Sequence, residues 1–144
     1  MTRAPFLFAA SVAFLFASAA PVFGQSNAAG NPHVILVKLV TKGGSVPYAF
    51  EPANIIAQHG DTIHFVTDGA APHNVHFKTH PAGAKLGAAT TGPYITTKGQ
   101  AYDVIIDGRF TNGKYEFVCD PHELIGMRGT LTVGKNAVLG KSRK

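Results

Sequence analysis

From residue 33 onward the chain is written in short runs where apolar and polar side chains alternate, each run closed by Gly, Pro, Asn or Asp. Successive side chains on a strand point to opposite faces, so such runs fold as half-buried strands. No segment carries an apolar stripe at helical spacing over three turns. His33 to Thr41 is a β-rich run ending at Lys42-Gly43-Gly44. Tyr48 to Phe50 and Asn54 to Ala57 are short extended pieces around Pro47 and Pro52. Thr62 to Thr67 puts Ile63 and Phe65 on one face, and His73 to Phe77 does the same with Val75 and Phe77. Ala101 to Asp107, Lys114 to Cys119 and Gly129 to Val133 alternate likewise, with Tyr115, Phe117 and Cys119 sharing a face. Thr79 to Gly99 is rich in Gly, Ala, Thr and Pro and reads as a long loop, with one weak strand at Tyr94 to Thr96. Seven or eight short strands with turn punctuation predict an all-β sandwich.

The first 32 residues are of another kind. Positions 4 to 37 carry no charge, and an apolar block from Pro5 to Ala17 follows a single Arg3. This is the pattern of a secretory signal peptide. Val22 and Gly24 suit the positions before a cut, which puts cleavage after Gly24. The expected organisation is a signal peptide over 1–24, a flexible segment over 25–32, one domain over 33–134 and a basic tail over 135–144. After cleavage no apolar run of about 20 residues remains, so no stable membrane insertion is expected. An uncleaved leader acting as an anchor is the alternative.

Charge divides along the same boundaries. Four basic residues, Lys135, Lys141, Arg143 and Lys144, lie in the tail, whereas 25–133 holds 8 basic and 8 acidic residues. The domain is neutral, and its pattern offers no nucleic-acid-binding face. GxGxxG, GxxxxGK[ST] and GxSxG are all absent from the sequence. His122-Glu123 opens like the zinc motif HExxH, but Gly126 stands where the second His belongs.

The chain has a single cysteine, Cys119. A secreted chain with one Cys forms no internal disulfide, so the thiol needs another explanation. Its surroundings supply one. Cys119-Asp-Pro-His122-Glu-Leu-Ile-Gly-Met127 holds three soft or borderline ligands in a C-x2-H-x4-M spacing at the end of a strand. A thiolate, two imidazoles and a long thioether contact are the ligand set of blue copper. The second imidazole must come from elsewhere. Pro72-His73-Asn74-Val75-His76, at the start of what reads as the central strand, offers His73, with His76 as its rival. The plain alternatives are a buried inert thiol at Cys119 and core filler at Met127. His33, His59, His64 and His80 read as surface histidines, and Asp120 and Glu123 as solvated flanks of the loop.

The segment from Gly113 through Cys119, Pro121, His122, Gly126 and Met127 to Val133 resembles the C-terminal copper loop of plastocyanin-like cupredoxins. Phe50-Glu51-Pro52, Gly60-Asp61-Thr62-Ile63-His64-Phe65 and Pro72-His73-Asn74-Val75 resemble their earlier strands. The resemblance covers about residues 34 to 133. It implies an eight-stranded Greek-key β-sandwich (the cupredoxin fold), one type 1 copper per chain, and single-electron transfer. It favours His73 over His76, so the expected metal ligands are His73, Cys119 and His122, with Met127 weak and axial. It also implies that Asn74 hydrogen-bonds to the Cys loop and that electrons pass through the edge of His122. Leu124, Ile125, Pro72 and Pro121 would form an apolar rim around that edge.

The sequence also departs from the plant members. Val118 stands where they often carry a surface Tyr, and Gly69 to Tyr102 contains no acidic residue. The leader is a plain secretory signal. These features fit a monomeric, soluble periplasmic carrier, not an enzyme, whose partners by family analogy would be a c-type cytochrome, a terminal oxidase or a reductase. The rival functions are copper storage or delivery, which calls for Met or His clusters that this chain lacks, and a small copper enzyme with an open coordination position.

Overall fold

The computed structural model describes residues 32–134; the signal peptide, most of the 25–32 segment and the 135–144 tail lie outside the described residues. Eight strands follow the alternation: β1 (Val34–Thr41), β2 (Tyr48–Glu51), β3 (Asn54–Ala57), β4 (Thr62–Thr67), β5 (His76–Thr79), β6 (Ala101–Ile105), β7 (Gly113–Val118) and β8 (Arg128–Val133). Two short 3-10 turns, Gly87–Thr90 and Asp120–Ile125, interrupt the connections. The strands form two four-stranded sheets, ordered β2-β1-β4-β6 and β3-β8-β7-β5. Each sheet contains one parallel pair, β1 with β4 and β3 with β8, and its remaining pairs are antiparallel. This is the eight-stranded, two-sheet β-sandwich that the alternation predicts.

The core is what alternation puts between the sheets. Val37 and Leu39 of β1, Ile63 and Phe65 of β4, Tyr115 and Phe117 of β7, and Leu131 and Val133 of β8 are all buried. Phe117 is the hub. It meets Phe50, Phe65 and Phe77 edge to face, with ring centroids 4.9, 5.9 and 5.7 Å away, the arrangement that aromatic quadrupoles favour. Gly129 is its cross-strand partner, and a Cβ there would lie 2.3 Å from Phe117 Cζ. The ring occupies the space that a side chain at 129 would need. Tyr115 is fully buried, and its hydroxyl donates to the Thr111 carbonyl at 2.8 Å. Asp61, buried at the far end of the sandwich, accepts the His33 amide at 2.9 Å and the Gln58 amide at 2.8 Å.

Two expectations are corrected. The strand expected at His73 to Phe77 begins only at His76, and it is an edge strand, not a central one. Pro72 has no N–H to give a ladder, and His73 instead forms an isolated bridge with Ile95. That bridge is all that exists of the weak strand at Tyr94 to Thr96.

Candidate metal centre

Cys119 directly follows β7, where the alternation turns it inward, and it is fully buried. The chain then turns sharply through Asp120–Ile125, with Pro121 in the first turn, where a missing N–H costs nothing. Gly126 ends the turn at φ 94°, the left-handed region that glycine enters freely. The loop closes on itself: the Cys119 amide donates to the Met127 carbonyl at 3.2 Å, and the His122 amide to the Cys119 carbonyl at 2.9 Å. Met127 is fully buried in the core cluster that also contains Cys119. On the facing loop, His73 is fixed by two backbone bonds with Ile95, of 3.0 and 2.8 Å.

These loops bring three donor atoms together. Cys119 Sγ lies 3.5 Å from His73 Nδ1 and 3.4 Å from His122 Nδ1, and the two nitrogens are 3.2 Å apart. The centre of such a triangle lies about 2 Å from each corner, close to the distance at which first-row ions bind imidazole nitrogen. A thiol and two imidazoles facing one point, all buried, fit a borderline metal well and a hard oxygen-seeking one poorly. His76, the rival imidazole, is not in this group; its Nδ1 is 2.8 Å from Asp120.

Burial sets the protonation of the group. It lowers His73 from 6.5 to about 4, with the neighbouring His122 as the second cause. It lowers His122 as well. It raises Cys119, against the opposing pull of the Asn74 and His122 amides. At neutral pH the metal-free group is therefore two neutral imidazoles and a protonated thiol. A stability prediction follows. The folded state resists protonating His73 until about pH 4, whereas the unfolded chain takes that proton near 6.5. Stability is then full above pH 6.5 and falls as the pH drops toward 4. The expected loss is roughly 3 kcal/mol for the metal-free protein, read as a falling urea midpoint. The same loss in His73→Asn would refute the assignment to this ring.

The surroundings differ from expectation at two positions. Asp120 and Glu123 are not free flanks of the loop. Asp120 Oδ2 accepts from Asn74 Nδ2 at 2.7 Å, and the Asp120 amide donates to Asn74 Oδ1 at 2.8 Å. This places Asn74 across from the Cys loop, as the resemblance implies. Burial works against the Asp120 carboxylate, but the bonds from Asn74 and His76 outweigh it and hold its pKa below the usual range. Glu123 lies 3.3 Å from Lys78 Nζ and 3.7 Å from Arg128.

Sequence reasoning missed Tyr48. Its ring stacks on His122 at 3.9 Å between centroids and 28° between planes, and meets His73 edge-on at 5.4 Å. The signal was present, since Tyr48 shares its strand face with the buried Phe50. His73 Nε2 is buried without a hydrogen-bond partner, so packing and the Ile95 bridge hold this ring. Outside the group, Leu124 is 98% exposed, and Ile125 and Val46 are also open to solvent.

The arrangement has counterparts among known proteins. Residues 36–134 match the family described as copper binding proteins, plastocyanin/azurin family. A plastocyanin of Scenedesmus fuscus is 34% identical over 101 residues, covering 69% of this chain and 98% of that protein. The solved structure of a mutant fern plastocyanin superposes with a TM-score of 0.54 at 30% identity, covering 69% of this chain and 99% of that one. Pseudoazurin from Methylobacterium extorquens superposes with a TM-score of 0.52 at 29% identity, over 72% of this chain and 76% of that one.

Proposed function

The chain belongs to the plastocyanin/azurin family of copper-binding proteins, and from that premise we propose that it is a soluble, monomeric, periplasmic shuttle that collects and delivers single electrons at the end of the sandwich carrying His122. Its cofactor is copper, and it is a blue copper electron carrier, not an enzyme. Copper would be held by His73 Nδ1, Cys119 Sγ and His122 Nδ1, with the Met127 thioether as a weaker fourth donor. The observation that carries this assignment is the mutual 3.2–3.5 Å spacing of the two nitrogens and the sulfur. When bound, copper supplies a one-electron couple between Cu(II) and Cu(I).

The protein's own part is to hold the donors still and dry. His73, Cys119 and Met127 are fully buried and His122 nearly so, which excludes water and leaves little room for an added ligand. That burial speaks against an exchangeable storage site and against an enzyme with an open position. Leu124 and Ile125 are exposed in the turn that carries His122, and exposed Val46 lies against Gly126 at its end, giving an apolar surface. Electron-transfer encounters use small interfaces of this sort, below about 1,200 Å² in total, and dissociate readily. The proposed partners are a c-type cytochrome, a terminal oxidase or a reductase. The secretory pattern of residues 1–24 supports the periplasm.

The test is a Cu(II) titration of residues 25–144, followed by visible absorption and EPR. An intense blue band and a narrow copper hyperfine splitting, saturating at one copper per chain, are expected. A pale complex would overturn the ligand assignment. Met127→Leu gives a finer check. Loss of the thioether leaves the two imidazoles and the thiolate, so the colour should persist. Leu leaves fewer donors and a more apolar site, which would favour the less charged Cu(I), so the reduction potential should rise. Failure of Met127→Leu to bind copper at all would show that the thioether is needed to hold the ion.

A further inference from the structure

Asp120 ties the two ligand loops together, and a residue outside both loops holds it in place. The Asp120 amide and one carboxylate oxygen close a ring of hydrogen bonds with the Asn74 side chain. Asn74 follows His73, and Asp120 follows Cys119, so this ring fixes two backbones that carry donor atoms. The other oxygen, Oδ1, is 2.8 Å from His76 Nδ1. An ionised carboxylate only accepts, so Nδ1 carries the proton and donates, whether the ring is neutral or charged. His76 itself is well anchored, paired with Val118 across β5 and β7 and bridged to Thr91.

We propose that His76 is a positioning residue for the copper centre. Its Nδ1–H fixes the orientation of the Asp120 carboxylate, and through Asn74 and the Asp120 backbone it fixes the separation of His73 and Cys119. It also offsets part of the negative charge that Asp120 places one residue from the thiolate. Glu123 reinforces the arrangement. It lies three residues after Asp120 in a 3-10 turn, where such positions eclipse one another, and it reaches Lys78 on β5 and Arg128 on β8. The turn that carries His122 is thus tethered to the sheet through two carboxylates on one side. A tethered turn moves little when charge on the centre changes, which suits an electron carrier. This inference rests on the ligand assignment proposed above.

The experiment compares the copper-loaded wild type with His76→Leu, His76→Asn and Asp120→Asn by reduction potential, EPR and copper affinity. Leu removes the donor and leaves Asp120 uncompensated. His76→Leu should therefore lower the potential, alter the hyperfine splitting and weaken copper binding about tenfold, the lower end of what outer contacts to a metal site contribute. Asn places an amide Nδ2 near the position of the ring Nδ1, so His76→Asn should restore values close to wild type. Asp120→Asn removes the negative charge and should raise the potential, opposite in sign to His76→Leu. A merely structural role would move neither potential in a set direction and would not be rescued by Asn. Wild-type potential and hyperfine splitting in His76→Leu, or His76→Asn behaving like His76→Leu, overturns the proposal. A wild-type protein that binds Cu(II) without the blue band overturns the ligand assignment, and this inference with it.

Discussion

Replacing Cys119 by Ser should abolish the intense visible band and lower Cu(II) affinity by more than about 100-fold, beyond what contacts outside the ligand set contribute. A thiol must ionise to bind a metal, and burial raises the Cys119 pKa. The two imidazoles are held neutral by the same burial. Below the raised thiol pKa and above the lowered imidazole values, uptake of one Cu(II) therefore releases one proton, from sulfur. Apparent affinity should rise about tenfold per pH unit across that window. In Cys119→Ser both the colour and this slope should vanish together. The hydroxyl would sit where Sγ now lies, within 3.5 Å of both Nδ1 atoms, so the fold should tolerate it. A proton release that survives in Cys119→Ser would assign the titration to another group.

Phe117→Ala should cost about 4 kcal/mol of stability. For a domain of this size that is of order 20 °C in melting temperature. The ring is fully buried and touches three other phenylalanines. It also covers Gly129, whose missing side chain makes room for it. Truncation opens a cavity that Gly129 cannot refill, with Phe117 two residues before Cys119 and Gly129 two residues after Met127. Domains of this kind have only about 5–15 kcal/mol to lose, so the metal-free variant should be marginal at room temperature. Copper should bind the folded state more tightly than the unfolded chain and so recover part of the loss by mass action. A change below about 1 kcal/mol in urea unfolding would mean that the core repacks around the gap.

Much of this was legible in the sequence, and the reasons are local. Asn54–Ala57 and Thr62–Thr67 are legible to the residue, because Pro52, Gly60 and Asp61 mark their boundaries and their faces alternate cleanly. Cys119, His122 and Met127 stood out because one loop carries all three. What was not legible is what long-range pairing decides. Alternation starts β5 three residues too early, since His73-Asn74-Val75 reads like a strand, whereas His73 forms only an isolated bridge with Ile95. The turn at Asp120–Ile125 is too short to carry a period. Asp120 and Glu123 looked like solvated charge because their partners, His76, Lys78 and Arg128, come from other strands. Tyr48 sits 74 positions before the imidazole it stacks on, and local pattern does not reach that far.

The strand order has a consequence for assembly. Strand β8 pairs with β7 beside it and with β3, more than 70 positions earlier, and β1 likewise pairs with β4 in parallel. Neither sheet is complete until distant parts of the chain have met. Topologies of this kind carry a large loop-closure entropy before any pairing energy returns, and they fold in milliseconds to seconds instead of microseconds. The loop from Cys119 to Met127 connects β7 to β8, so the donor geometry is complete only when both strands are paired. During synthesis the sandwich remains open until residue 133 is free to pair. Until then the Cys119 thiol lacks the full burial that it has in the folded sandwich.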